Sequence, residues 1–100
     1  MYTVRVADNF HYRDESETYT LGTYATLAEA EAAARDVVDR FLADQHAAGM
    51  TADALYRHYR AFGDEPYIVA APGAPEVPRF AGWEYARVRC DAICAGPSAV

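Results

Sequence analysis

One hundred residues with nine basic and fifteen acidic side chains, for a formal charge of -6, describe one small acidic domain and leave no room for a second. The 52% hydrophobic fraction is thinner than it looks, because 21 residues are Ala and eight are Tyr, leaving 21 large apolar side chains to build a core. A nucleic-acid-binding face is excluded on charge: four Arg stand against nine acids in the first fifty residues and five against six in the last fifty.

In chain order, Tyr2, Val4 and Val6 alternate with Thr3 and Arg5, the period of a half-buried strand over residues 2–7. A second alternating run, Thr18 to Tyr24, sets Tyr19, Leu21 and Thr23 against Thr20, Gly22 and Tyr24. The polar stretch Asp8 to Glu17 between them reads as a long acidic loop joining an antiparallel pair. Thr26-Leu-Ala-Glu29 is a capping box and starts a helix. Ala30, Ala34, Val37, Val38, Phe41 and Leu42 form its apolar stripe, and Gly49 is the expected stop.

Thr51 caps a second helix with Asp53 in its first turn, and Leu55, Tyr56, Tyr59 and Phe62 form its buried stripe up to Gly63. Asp64-Glu65-Pro66 reads as a turn, Tyr67 to Ala71 as a short strand, and the stretch holding Pro72, Gly73, Pro75 and Pro78 as a stiff loop. Phe80 to Ala95 is a last helix, with Trp83, Ala86, Cys90 and Ile93 on one face. The expected fold is therefore α+β, a small antiparallel sheet of about three strands covered by three helices in the order β-β-α-α-β-α. Residues 1–95 form the domain and residues 96–100 a flexible tail.

The opening Tyr-Thr-Val-Arg-Val-Ala-Asp-Asn-Phe-His-Tyr, the Gly22-to-Ala30 join, the run Met50-Thr-Ala-Asp-Ala-Leu-Tyr and the segment Phe62-Gly-Asp-Glu-Pro-Tyr-Ile-Val together resemble a group of small, uncharacterised bacterial proteins. The resemblance implies no fold, activity or catalytic residue. Composition also points to bacteria: the chain has no Lys, one Asn and two Ile, the bias of a GC-rich genome. The longest apolar stretches are interrupted by Glu31 or Pro72 and fall short of the ~20 residues a bilayer needs. No export signal precedes the first strand, so a cytoplasmic location is expected.

Few residues carry chemistry. Cys90 and Cys94 lie four apart on a helix, where Cβ atoms are about 5–6 Å apart, wider than the ~3.8 Å of a disulfide. With His11, His46 and His58 at no motif spacing, a zinc site lacks its other two ligands. His11-Tyr12-Arg13 and His58-Tyr59-Arg60 are the clusters that join imidazole, phenol and guanidinium, groups able to hold a carboxylate or phosphate. In the second cluster Tyr59 belongs to the apolar stripe and His58 is expected to face water. Adjacent acids at Asp14-Glu15 and Asp64-Glu65 read as turn residues, and the acidic loop lacks the ligand period of a calcium site.

No Gly-rich phosphate loop, nucleophile elbow or metalloprotease helix is present in the sequence, and no metal or other cofactor is expected. The expected role is a non-catalytic domain that binds another protein or forms a homodimer, since Tyr and Arg are favoured at interfaces. The rival is a small-ligand-binding protein or enzyme with His11, Tyr12, Tyr19 and Arg60 near the first loop. An interaction domain would expose apolar and Tyr surface; a ligand site would show a pocket with converging polar groups.

Overall fold

Tyr2, Val4 and Val6 recur at every second residue, and all three are buried on one face of the central strand, β1 (Tyr2–Asp8), in a computed structural model that describes residues 1–9 and 18–95. The remaining elements are β2 (Tyr19–Tyr24), α1 (Leu27–Gln45), α2 (Ala52–Phe62), β3 (Asp64–Ala70) and α3 (Gly82–Ala95). The element order and the α+β class are those the sequence predicts. Both outer strands run antiparallel to β1, in the order β2-β1-β3.

Strict alternation fails in β2. Gly22 opposes Val4 while Thr20 opposes Arg5, so Leu21 is the extra residue of a β-bulge. The bulge shifts Tyr19 into register with Val6, and it separates Leu21 from the face predicted for it together with Thr23. The third strand also departs from expectation, because it begins inside the predicted turn. Asp64, Glu65 and Pro66 pair with Asp8, Ala7 and Val6. A proline is tolerated here because β3 is an edge strand, half of whose N–H groups have no neighbouring strand to bond.

The inner face of the sheet packs on the first half of α1. Tyr2, Val4, Leu27, Ala30 and Ala34 form one buried cluster, flanked by Tyr24, Ile68, Ala70 and Phe80. Alanines at 30 and 34 let the helix approach the strands closely. The outer face carries Thr3, Arg5, Thr20, Thr23, Tyr67 and Val69, linked by hydrogen bonds from the Arg5 guanidinium to Thr20 Oγ1 and Tyr67 Oη, and between the Thr3 and Thr23 hydroxyls. None of the described helices lies over those side chains, of which Tyr67 and Val69 are well exposed.

With 19 residues α1 is about 28 Å long, against about 23 Å for a seven-residue strand. Its second half serves a second core, in which Val38 and Leu42 meet Leu55 and Tyr59 of α2 and Ala86 and Cys90 of α3. The expectation of a sheet covered by all three helices is thus refined: α1 spans the strands, whereas α2 and α3 pair with each other and extend the core beyond them. Polar links reinforce this second core, with Tyr85 Oη donating to Asp39 at 2.9 Å and Arg89 bonding the same carboxylate at 3.1 Å.

Cys90 is buried and Cys94 half-buried, and neither is in a disulfide. Phe62, predicted for the core, is 53% exposed and lies against the His58 ring. His58 in turn does not simply face water, since its Nε2 is 2.8 Å from Gln45 Oε1 and its ring stacks on Phe41. The capping box forms as read: Thr26 Oγ1 accepts from the Glu29 amide and Glu29 Oε1 accepts from the Thr26 amide. Thr26→Ala should therefore lower the unfolding free energy by about 1 kcal/mol in urea titrations. The helix ends at Gln45, before Gly49, whose positive φ serves the following turn instead. No helix among the described residues is long and apolar enough to cross a membrane.

Candidate interaction groove

The apolar stripe of α1 is wider than the core needs. Val38 and Leu42 are fully buried, whereas the neighbouring row of Val37 and Phe41 is only half covered. Across from that row stand Tyr19 and Leu21 of β2, 50% and 41% exposed. The four side chains floor an open groove of about 460 Å³ between the edge strand and the helix, with Asp36, Arg40, Asp44 and Asp64 also lining it. The bulge puts Leu21 there, since it adds a residue to β2 just where the strand passes Arg5.

Charge in the groove is unbalanced toward acid. Arg40 Nε bonds Asp36 at 2.8 Å on the same helix face, which leaves Asp44 and Asp64 uncompensated by the groove's own cation. Asp44 accepts a hydrogen bond from the Gln45 amide. Asp64 sits directly across from Asp8 in the β1–β3 ladder, a like-charge pairing that disfavours the doubly ionised form. Partial burial first, and Asp8 second, push the Asp64 carboxyl above its ordinary range. Tyr19 is likewise raised, by burial and then by the negative Asp64.

Beside the groove lies a polar junction that fixes this end of the sheet. Tyr59 Oη is 2.7 Å from Glu65 Oε1 and 2.8 Å from the Asp64 carbonyl. Glu65 also accepts from the backbone amides of Gly82 and Trp83, the first two residues of α3, groups that have no partner inside their helix. Gly82 is needed at that point because a Cβ there would come within 2.5 Å of the Glu65 carboxylate. Asn9, the one buried polar residue of the described core, donates to the Tyr59 carbonyl and accepts from the Trp83 indole. Among the described residues no buried side-chain nitrogen or oxygen is left without a hydrogen bond, which is the pattern of a structural joint.

Of the four residues predicted for a first-loop site, His11 and Tyr12 lie outside the described residues. Tyr19 lines the groove, but Arg60 does not. Its guanidinium stacks 4.1 Å over the Trp83 ring and contributes positive charge to Glu65. The structure thus does not bring Tyr19 and Arg60 into one site. Among the described residues no group of three His, Cys, Asp or Glu side chains is placed to hold a metal ion.

Sequence reasoning missed Leu21, Asp36, Asp44 and Asp64 as groove residues; Phe41, which it placed in the core, does pack against the second core and also lines the groove. One signal was present: two adjacent apolar rows on α1, where a single helix face against a sheet fills only one. Comparison with known proteins adds no relative, since no family model, curated protein or solved structure matches the chain.

Proposed function

We propose that this protein is a non-catalytic interaction domain that binds another protein through the groove between β2 and α1. The observation that carries the reading is the pairing of exposed Tyr19 and Leu21 with half-buried Val37 and Phe41 in a concavity beside an edge strand. Aromatic and aliphatic anchors set in a depression are what interface energetics reward.

A bacterial, cytoplasmic setting accords with the GC-type composition and with free thiols at Cys90 and Cys94. The test is site-specific photocrosslinking in cells, with a photoreactive amino acid placed at Leu21 or, as an exposed control on α3, at Val88. A discrete heterologous adduct from position 21 and none from position 88 is the expected result. An adduct of twice the chain's mass from position 21 replaces the reading with a homodimer, and the same adducts from both positions defeat it.

A further inference from the structure

Neither cysteine lines the groove, and both are free thiols. We infer that Cys90 and Cys94 form a two-coordinate site for a soft, thiophilic cation, copper(I), held between the two sulfurs along one face of α3.

Spacing excludes one bridge between these thiols and admits another. Side chains four residues apart on a helix project from the same face, with Cβ atoms about 5–6 Å apart. A disulfide draws its Cβ atoms to about 3.8 Å, so the pair is too wide to close directly. A metal ion between the sulfurs restores the fit. Two collinear metal–thiolate bonds, each about as long as the ~2.3 Å of a zinc–thiolate bond, set the sulfurs about 4.6 Å apart, close to the spacing of the Cβ atoms that carry them. The two thiols are near enough for the charge of one to act on the other.

Surroundings select the metal. Cys90 is fully buried in the core shared by the three helices, and Cys94 and a third sulfur, that of Met50, pack against the same cluster. Arg60 of α2 stacks on Trp83, and Asp53, nearer the start of α2, pairs with Arg87 at 2.6 Å. That antiparallel register carries Met50, just before α2, toward the thiols. Thiolate and thioether surroundings favour copper(I), whereas zinc takes four ligands, and among the described residues no third Cys, His, Asp or Glu completes such a set. Binding turns two thiols and one copper(I) into a bis-thiolate complex with one net negative charge, releasing two protons to solvent and transferring no electron. Arg87, one turn before Cys90, offsets part of that charge, to which Asp91 adds. Half-buried Cys94, in the last turn of α3, gives the ion its entry from solvent.

The reduced full chain is titrated without oxygen with copper(I) in the presence of bicinchoninate, a chelator whose copper(I) complex is coloured. Loss of colour equivalent to one copper(I) per chain is the expected result. Cys94→Ala should withdraw none while keeping the circular dichroism of the wild type, since Cys94 is only half-buried. Cys90→Ala should behave alike, and if it fails to fold, Cys94→Ala decides. X-ray absorption of the loaded chain should show sulfur alone around the metal. No competition by the wild type, or undiminished competition by folded Cys94→Ala, overturns the inference. So does nitrogen in the first shell, or one copper(I) for two chains, which places the ion between copies. Withdrawal of zinc from a zinc indicator at the same stoichiometry overturns the preference for a soft cation.

Discussion

Glu65→Ala is expected to lower the free energy of unfolding by about 2–4 kcal/mol, because it strands several donors at once. The carboxylate accepts from Tyr59 Oη and from the Gly82 and Trp83 amides at the start of α3. Removing it leaves the phenol of a fully buried tyrosine with only the Asp64 carbonyl, and it frees the positive end of a helix dipole from its anion. Glu65→Gln keeps an acceptor of the same shape and should cost about 1 kcal/mol. Urea denaturation of the two variants separates lost bonding from lost charge. Near-equal costs would mean that the charge, and not the acceptor, holds the joint.

The pH dependence of the same residue has a definite sign. Burial raises the Glu65 carboxyl above its ordinary value, although Tyr59, the two amides and Arg60 partly offset that. The folded chain therefore takes up this proton more readily than the unfolded one. Its contribution favours the fold at acid pH and declines as pH rises through the folded value. Glu65→Gln should show no such step.

Alkali is expected to unfold the protein from about pH 10 upward, with Tyr59 as the main cause. Its hydroxyl is raised far above the usual 10.0, first by burial, then by the charge of Glu65 and its hydrogen bond to that carboxylate. Above pH 10 the unfolded chain releases this proton and the folded chain keeps it, so stability falls by about 1.4 kcal/mol per pH unit. By pH 12 the loss approaches ~3 kcal/mol, a large part of the 5–15 kcal/mol typical of a whole domain. Cys90, pushed up to about 11 chiefly by burial, acts in the same direction from pH 9.

Tyr59→Phe removes the titrating proton. Stability measured at pH 7, 10 and 12 should be lower than wild type at pH 7 but flatter toward pH 12. An unchanged alkaline slope in that variant would move the effect to other groups.

How much of this was legible beforehand depended on how far apart the interacting residues lie in the chain. Thr26 and Glu29 are three residues apart, and their reciprocal hydrogen bonds could be read directly. The joint around Glu65 could not. It links Asn9, Tyr59, Glu65 and Trp83 across 74 residues, and in the sequence Glu65 is one of two adjacent acids before a proline, the composition of a turn. Pairing with β1 outweighed that local preference. The bulge at Leu21 was equally invisible, because an extra residue in a strand is defined by its partner strand.

By itself the sequence determined the element order, the antiparallel pairing of the first two strands and the alanine-lined approach of α1, because period and caps are local properties of the chain. It also determined the shortage of large apolar side chains, 21 in a hundred residues. Only the tertiary structure decided how that shortage is distributed. The long α1 divides the available side chains between two cores and leaves Val37 and Phe41 half covered opposite Tyr19 and Leu21. The groove lies where Val37 and Phe41 of α1 face Tyr19 and Leu21 of β2, a juxtaposition that appears only when the elements are assembled.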